Sequence, residues 1–187
     1  MNLFNLFSRK QAPVIDLEVG DITKRRSDVI VNAAKSSLLG GGGVDGAIHA
    51  AGGPAILAQC RAIRDTLYPD GLPVGEAVPT RGGRLPARYV VHTVGPVYST
   101  KEDRSAQLRS AYTSSLKVAD QLHARTVAFP LISSGVYGWP VKDAIEQALK
   151  AISSRRYRHV QRVTLVLFDR DTFDLAQTVY REGRYWL

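Results

Sequence analysis

Apolar runs and helical patterns alternate along most of this chain. Val14–Val19 reads as a strand, and Val29-Ile30-Val31 as a short strand buried on both faces. Val44–Ala51 and Pro54–Arg64 read as helices, the second opening on a proline where its missing N–H costs little. Ala77-Val78 and Tyr89–Thr93 are expected strands, parted by a Gly/Arg/Pro turn over Arg81–Pro86. Leu108, Tyr112, Leu116 and Ala119 share one face of a long helix predicted over Asp103–Leu122. Thr126–Phe129 then reads as a buried strand, Val141–Ser153 as a helix and Val163–Phe168 as a strongly apolar strand. A last helix is expected from Asp171 to about Arg181. This alternation predicts an α/β fold, a three-layer α/β/α sandwich with a mixed, mostly parallel central sheet and extra pairing at one edge. With no internal repeat and no linker, residues 13–187 read as one domain and residues 1–12 as an N-terminal appendage.

The 187 residues suit a single core, and 44% hydrophobic with 22% charged residues excludes wholesale disorder. Cys60 is the only cysteine, so an intramolecular disulfide and a multi-cysteine zinc site are both excluded. No apolar run approaches the roughly 20 residues of a membrane helix. Met1–Phe7 is too short for a signal segment and has no basic residue ahead of it. A cytoplasmic monomer that avoids membranes is the expectation. The net charge of +8, from 25 Lys and Arg against 17 Asp and Glu, favours anionic partners. It is spread along the chain, with +2, +2 and +4 over successive thirds. The clusters Lys24-Arg25-Arg26 and Arg155-Arg156-Tyr157-Arg158 are too short for a nucleic-acid tail and read as solvated loops and helix ends. Net charge is thus the whole case for a nucleic-acid partner, because no sequence-reading motif joins it.

Open α/β sheets bind ligands in the loops beyond the carboxyl ends of their strands. Three such loops carry unusual chemistry. In the first, Gly40 to Gly43 strip every Cβ from the backbone just before a helix, which suits amide contacts to phosphate. No Gly-Lys-Ser/Thr follows, so a Walker loop is excluded. Gly41, Gly43 and Gly46 formally meet G-x-G-x-x-G, but about eight residues separate them from the strand, which weakens a dinucleotide-fold reading. Asp45 and His49 lie four apart and can face one side of that helix. Asp45 has an alternative role as a first-turn partner of the helix dipole, and His49 as a packed or capping residue. In the second loop, Leu131–Pro140, Ser133 and Ser134 lack the nucleophile-elbow pattern and read as phosphate donors, with Tyr137 placed to stack on a sugar or base. In the third, Asp21 follows the first strand, where it can cap the turn at Ile22–Arg26 or accept from an amino group such as adenine's.

Taken together, Gly20–Thr23, Val31-Asn-Ala-Ala34, Leu39–His49, Val91–Pro96, Ser133–Gly138 and Val163–Asp169 resemble the macrodomain family, in particular its MacroD-type ADP-ribose hydrolases. The resemblance spans about Val14 to Tyr180 and implies a cleft for ADP-ribose. It implies Asp21 at the adenine amino group, Phe168 beside the ring, and Ile22 among the ligand-binding residues. It sets Gly41, Gly42, Gly43 and Val44 against the diphosphate from one side, and Ser133, Ser134, Gly135, Val136 and Tyr137 from the other. Asn32 would contact the distal ribose, with Tyr137 packed near it, and Asp45 would position or activate a water near the anomeric carbon. The implied reaction removes ADP-ribose from acidic side chains or deacetylates O-acetyl-ADP-ribose, without metal or cofactor. Two positions depart from the subgroup pattern. Lys35 replaces the last Asn of Asn-Ala-Ala-Asn, and Ala50 stands where relatives often carry arginine. Lys35 offers only donors, and it could contact a substrate phosphate, reach solvent, or pair with Asp45 and blunt it. A hydrolase with Asp45, Asn32 and Lys35 as its catalytic candidates is therefore weighed against a reader that binds ADP-ribose with little turnover.

Overall fold

Val29, Ile30 and Val31 sit at the centre of a longer strand than their short apolar run predicts, because a neighbouring strand pairs with it from Ser27 to Ala33. The computed structural model describes residues 9–185. Its strands are β1 (Val14–Val19), β2 (Ser27–Ala33), β3 (Ala77–Arg81), β4 (Ala87–Thr93), β5 (Thr126–Phe129) and β6 (Arg162–Leu167). They form one sheet in the order β1-β6-β5-β2-β4-β3. All neighbours are parallel except β3, which closes the edge antiparallel to β4. The expected mixed sheet, mostly parallel with extra edge pairing, is therefore observed.

Alternation along each strand assigns side chains to two faces. Val29 and Val31 of β2, Val91 of β4, and Val163, Leu165 and Leu167 of β6 enter one core. That core is completed by α3 (Ser105–Gln121), α4 (Val141–Ser153) and α5 (Arg170–Glu182). Ile30, Val90, Ala128 and Val166 face the other way and pack on α1 (Gly43–Gly52) and α2 (Pro54–Thr66). Asn32 and His92 are two residues beyond Ile30 and Val90, so they share this second face, and strand register sets them side by side.

The ends of elements shift by capping. The long helix begins at Ser105 because the Asp103 carboxylate accepts the Ser105 N–H at 2.9 Å, outside the helix. The last helix begins one residue early because Asp169 accepts the Thr172 N–H at 2.8 Å and its hydroxyl at 2.9 Å. Phe168, expected inside the last strand, lies just past its end and is 86% exposed. Most of the expected N-terminal appendage lies outside the described residues. Within them, Gln11 exchanges two 2.8 Å backbone bonds with Tyr157, so this segment is tied to the domain. No described helix is long and apolar enough to cross a membrane.

Candidate active site

The carboxyl ends of β1, β2, β5 and β6 open together into a cavity of about 690 Å³. Its walls include Asp21, Ile22, Lys35, Gly42, Gly43, Val44, Asp45, Ser133, Ser134, Gly135, Val136, Tyr137 and Phe168. The sequence-predicted residues thus converge, with two exceptions. Gly41 lies off the cavity surface, under the Lys35 stem: a Cβ there would stand 3.0 Å from Lys35 Cε. Asn32 is fully buried beneath the floor, where its Nδ2 donates to Asp45 and its Oδ1 has no partner. A second hollow of about 400 Å³ covers Tyr98–Ser105 and Trp139. It carries three carboxylates, of Glu102, Asp103 and Asp143, against the two cations of Lys101 and Arg104, so it has no excess of positive charge for a diphosphate.

Two loops rich in backbone N–H groups line the cavity, the glycine run and Ser133–Tyr137. Gly43 has φ +60 and turns the glycine run into α1, whose first residues, Gly43 to Asp45, line the cavity. Gly46 lets that turn close, since a Cβ there would lie 2.5 Å from the Gly41 carbonyl oxygen. Opposite, Ser133 holds φ +67, an uncommon value for a residue with a side chain, and its buried hydroxyl has no partner. The Ser134 hydroxyl donates to the Leu131 carbonyl at 2.9 Å, which leaves its backbone N–H as the donor it can offer a phosphate. The loop is anchored from below by Tyr112, whose hydroxyl accepts the Ile132 N–H at 3.0 Å inside the core. Burial pushes the Tyr112 phenol well above its usual range, so it stays neutral.

Asp21 plays its capping part, accepting from Thr23 N at 2.9 Å and Thr23 Oγ1 at 2.7 Å through one oxygen. Those bonds, the hydroxyl first, hold its carboxyl below the usual range. The turn it caps is the 3-10 segment Ile22–Lys24, and the exposed ring of Phe168 stands on the same cavity wall.

Beneath the floor runs a buried polar chain. Asn32 Nδ2 donates to Asp45 Oδ1 at 2.8 Å and lies 3.1 Å from His92 Nδ1. His92 Nε2 lies 3.0 Å from Thr80 Oγ1, and Thr80 donates onward to the Arg81 carbonyl at 3.1 Å. One proton arrangement satisfies every link: His92 is neutral, donates from Nε2 to Thr80 and accepts at Nδ1 from Asn32. Burial, with the nearby His49 adding to it, lowers the His92 pKa to about 3, which agrees with a neutral ring. Cys60 Sγ is 3.7 Å from His92 Nε2, and its thiol is pushed up to about 12 by burial and then by Asp45. His49, Cys60 and His92 bring metal-type donor atoms within 4.8 Å of one another. Both His92 nitrogens are already hydrogen-bonded and the thiol keeps its proton, so the cluster fits a hydrogen-bonded support better than a ligand set. Sequence reasoning missed His92 and Thr80, which alternation alone marks only as inward-facing strand residues.

The chain leaves Asp45 half engaged. Oδ1 is held by Asn32, and His49 Nε2 stands 3.4 Å from the same oxygen without hydrogen-bond geometry. Oδ2 is buried with no partner, on a residue that lines the cavity. Lys35 Nζ and Asp45 Oδ2 lie 3.2 and 3.3 Å from the point a Gly41 Cβ would occupy, yet they form no ion pair. Lys35 is exposed at the rim.

A sequence model of the Macro domain matches residues 31–148. The chain belongs to the Macro domain family. A Macro domain-containing protein of Streptomyces griseus is 56% identical over 162 residues, covering 87% of this chain and 92% of that protein. A protein of Pantoea vagans named O-acetyl-ADP-ribose deacetylase 2 is 51% identical over 159 residues, covering 83% of this chain and 92% of its own. The Oceanobacillus iheyensis macrodomain, solved with ADP, superposes with a TM-score of 0.88 at 38% identity over 96% of each chain. The Trypanosoma brucei macrodomain in complex with ADP-ribose superposes at 0.78 with 36% identity, over 88% of this chain and 68% of that one. The MacroD-type resemblance read from the motifs of this Macro domain agrees with the deacetylase name among its relatives.

Proposed function

We propose that this Macro domain binds ADP-ribose in its cavity and hydrolyses ADP-ribosyl esters, with Asp45 Oδ2 as the acceptor of a proton from water. The observation that carries this reading is the division of labour on Asp45: Asn32 fixes Oδ1, and the unpartnered Oδ2 belongs to a residue lining the cavity. In the reaction, a water oxygen bonds to the anomeric carbon of the distal ribose. The bond from that carbon to the ester oxygen breaks, the acid leaves as its carboxylate, and the water's proton passes to Asp45. The glycine turn and the Ser133–Gly138 loop hold the diphosphate through backbone N–H groups, Asp21 and Phe168 receive the adenine, and Tyr137 packs at the sugar. Acetyl esters of ADP-ribose, the substrate class in the name of the Pantoea vagans relatives, are the second substrate class proposed.

A reader with little turnover is favoured by one observation, the cation at position 35 beside the reacting carboxylate. Because Lys35 forms no ion pair with Asp45, it is read here as a contact for substrate phosphate rather than a blunting partner. Incubation with a protein mono-ADP-ribosylated on glutamate decides between the two. Release of ADP-ribose by the parent chain and its loss in Asp45→Asn supports the hydrolase. Calorimetric binding without release supports the reader, and absence of binding at high micromolar ADP-ribose overturns both.

A further inference from the structure

The arginines, scattered in sequence, gather at the end of the sheet away from the cavity. The connections at the amino ends of β2, β4, β5 and β6 span residues 25–28, 81–88, 123–126 and 154–162. They contain ten arginines, no lysine and a single acidic residue, Asp28. Strand direction places them together: Arg26 precedes β2, Arg88 is the second residue of β4, Arg125 precedes β5 and Arg162 opens β6. Arg81 ends the antiparallel β3 and pairs in register with Tyr89. From Arg162 to Arg81 the row crosses four strand spacings, about 19 Å. Phosphates along one strand of a duplex rise about 3.4 Å each, so the row spans about five or six of them.

Arg25 and Arg162 are committed to Glu18 and Asp16. The other eight are exposed and form no ion pair among the described residues. Their backbone is nonetheless fixed. Asp28 accepts the N–H of Arg125 at 2.8 Å, and Asp120 accepts those of Arg158 and His159 at 3.3 and 2.6 Å. The Arg125 carbonyl in turn accepts from Gln161 and Arg162 at 2.9 and 3.1 Å. The two carboxylates are thus spent on holding the arginine-bearing loops rather than on the guanidinium groups. Arg81 and Arg88 flank the Tyr89 ring at 5.2 and 5.5 Å from its centroid, giving the row an aromatic with cations on it. Val14 is the one large apolar side chain exposed at this end among the described residues, which leaves little to insert into a lipid surface.

We propose that this arginine face is a second binding site, for the phosphodiester backbone of nucleic acid, separate from the cavity. Guanidinium forks suit phosphate oxygens, and charged contacts spaced along a rigid edge bind a polyanion without reading its sequence. The test is fluorescence anisotropy of the full chain with labelled 20-nucleotide single-stranded RNA, single-stranded DNA and duplex DNA between about 50 and 200 mM salt. Binding that weakens with salt is expected, and the preferred polymer identifies the source of the backbone. The variant Arg125→Gln/Arg156→Gln/Arg158→Gln should lower the log–log salt slope on single strands by about 2, from about 0.7 per contact. Its ADP-ribose titration should match the parent, which also reports that it is folded. The proposal is overturned by no binding at the lowest salt, by an unchanged slope in the variant, by displacement with saturating ADP-ribose, or by capture on phosphatidylserine vesicles without nucleic-acid binding.

Discussion

Replacing Asp45 by asparagine keeps its volume and an oxygen for Asn32 to donate to, but removes the base. Turnover on a glutamate-linked ADP-ribosyl substrate should fall by roughly 10²–10⁴-fold. Calorimetry should find ADP-ribose bound with affinity close to the parent's, because the diphosphate rests on backbone amides. Lys35→Asn tests the rim cation separately. With no ion pair to Asp45 to release, turnover should change by less than about tenfold, or about 1.4 kcal/mol in the barrier. A larger rise would mean that the lysine blunts the base after all. His92 makes a different prediction. Its folded pKa is depressed to about 3 from 6.5, so below pH 6.5 the unfolded chain takes up a proton that the native chain does not. Its contribution is fully present above 6.5 and is lost as pH falls toward 3, at about 1.4 kcal/mol per pH unit. Urea midpoints measured across that window should fall less steeply in His92→Gln than in the parent.

At the scale of elements, the site depends on register and on one tyrosine. The parallel pairing of β2 with β4 sets Asn32 beside His92, and α1 lays Asp45 over them. Tyr112 on α3 reaches through the core to hold the amide of Ile132, at the root of the loop that bears Ser133 and Tyr137. Tyr112→Phe leaves that buried N–H unpaired, at a cost of about 1–3 kcal/mol. A lower unfolding midpoint with weaker ADP-ribose binding is expected, and a drop in stability alone would show that the loop keeps its shape unaided. The elements themselves were legible because apolar periodicity and a few Pro, Gly and Asp caps specify them locally. Asp21, Asp45 and the two loops were legible for the same reason: each lies within a short stretch whose chemistry is local. His92 and Thr80 were not, since a polar residue inside a strand acquires its meaning only from the strand paired with it. Asn32 was legible as a residue at this end of the sheet, but its burial beneath the cavity floor was not, because burial depth is not written in a motif.

For the whole molecule, the parallel sheet separates two kinds of anion recognition. At the carboxyl ends, the described cavity wall contains one cation, Lys35, and the phosphates are offered glycine amides and a helix N-terminus. At the amino ends the recognition is by guanidinium. Counting charge by thirds of the chain could not reveal this, since the arginines come together only when four connections are folded to the same side. The two ends should therefore answer salt differently. Counterion release makes nucleic-acid binding at the arginine face fall steeply as salt rises. ADP-ribose, held mainly by short-range amide hydrogen bonds in a partly enclosed site, should lose little affinity over the same range, because buried contacts are screened less than exposed charges. Lys35 is the exposed part of that site, and its charge is the component that salt can reach. Titrations of ADP-ribose at about 50 and 500 mM salt, spanning Debye lengths of roughly 14 and 4 Å, should show a small loss in the parent chain and a smaller one in Lys35→Met. If the parent's loss is as steep as that of its nucleic-acid complex, arginine and not backbone is holding the diphosphate, and the assignment of the glycine turn and the Ser133–Gly138 loop to the phosphates fails.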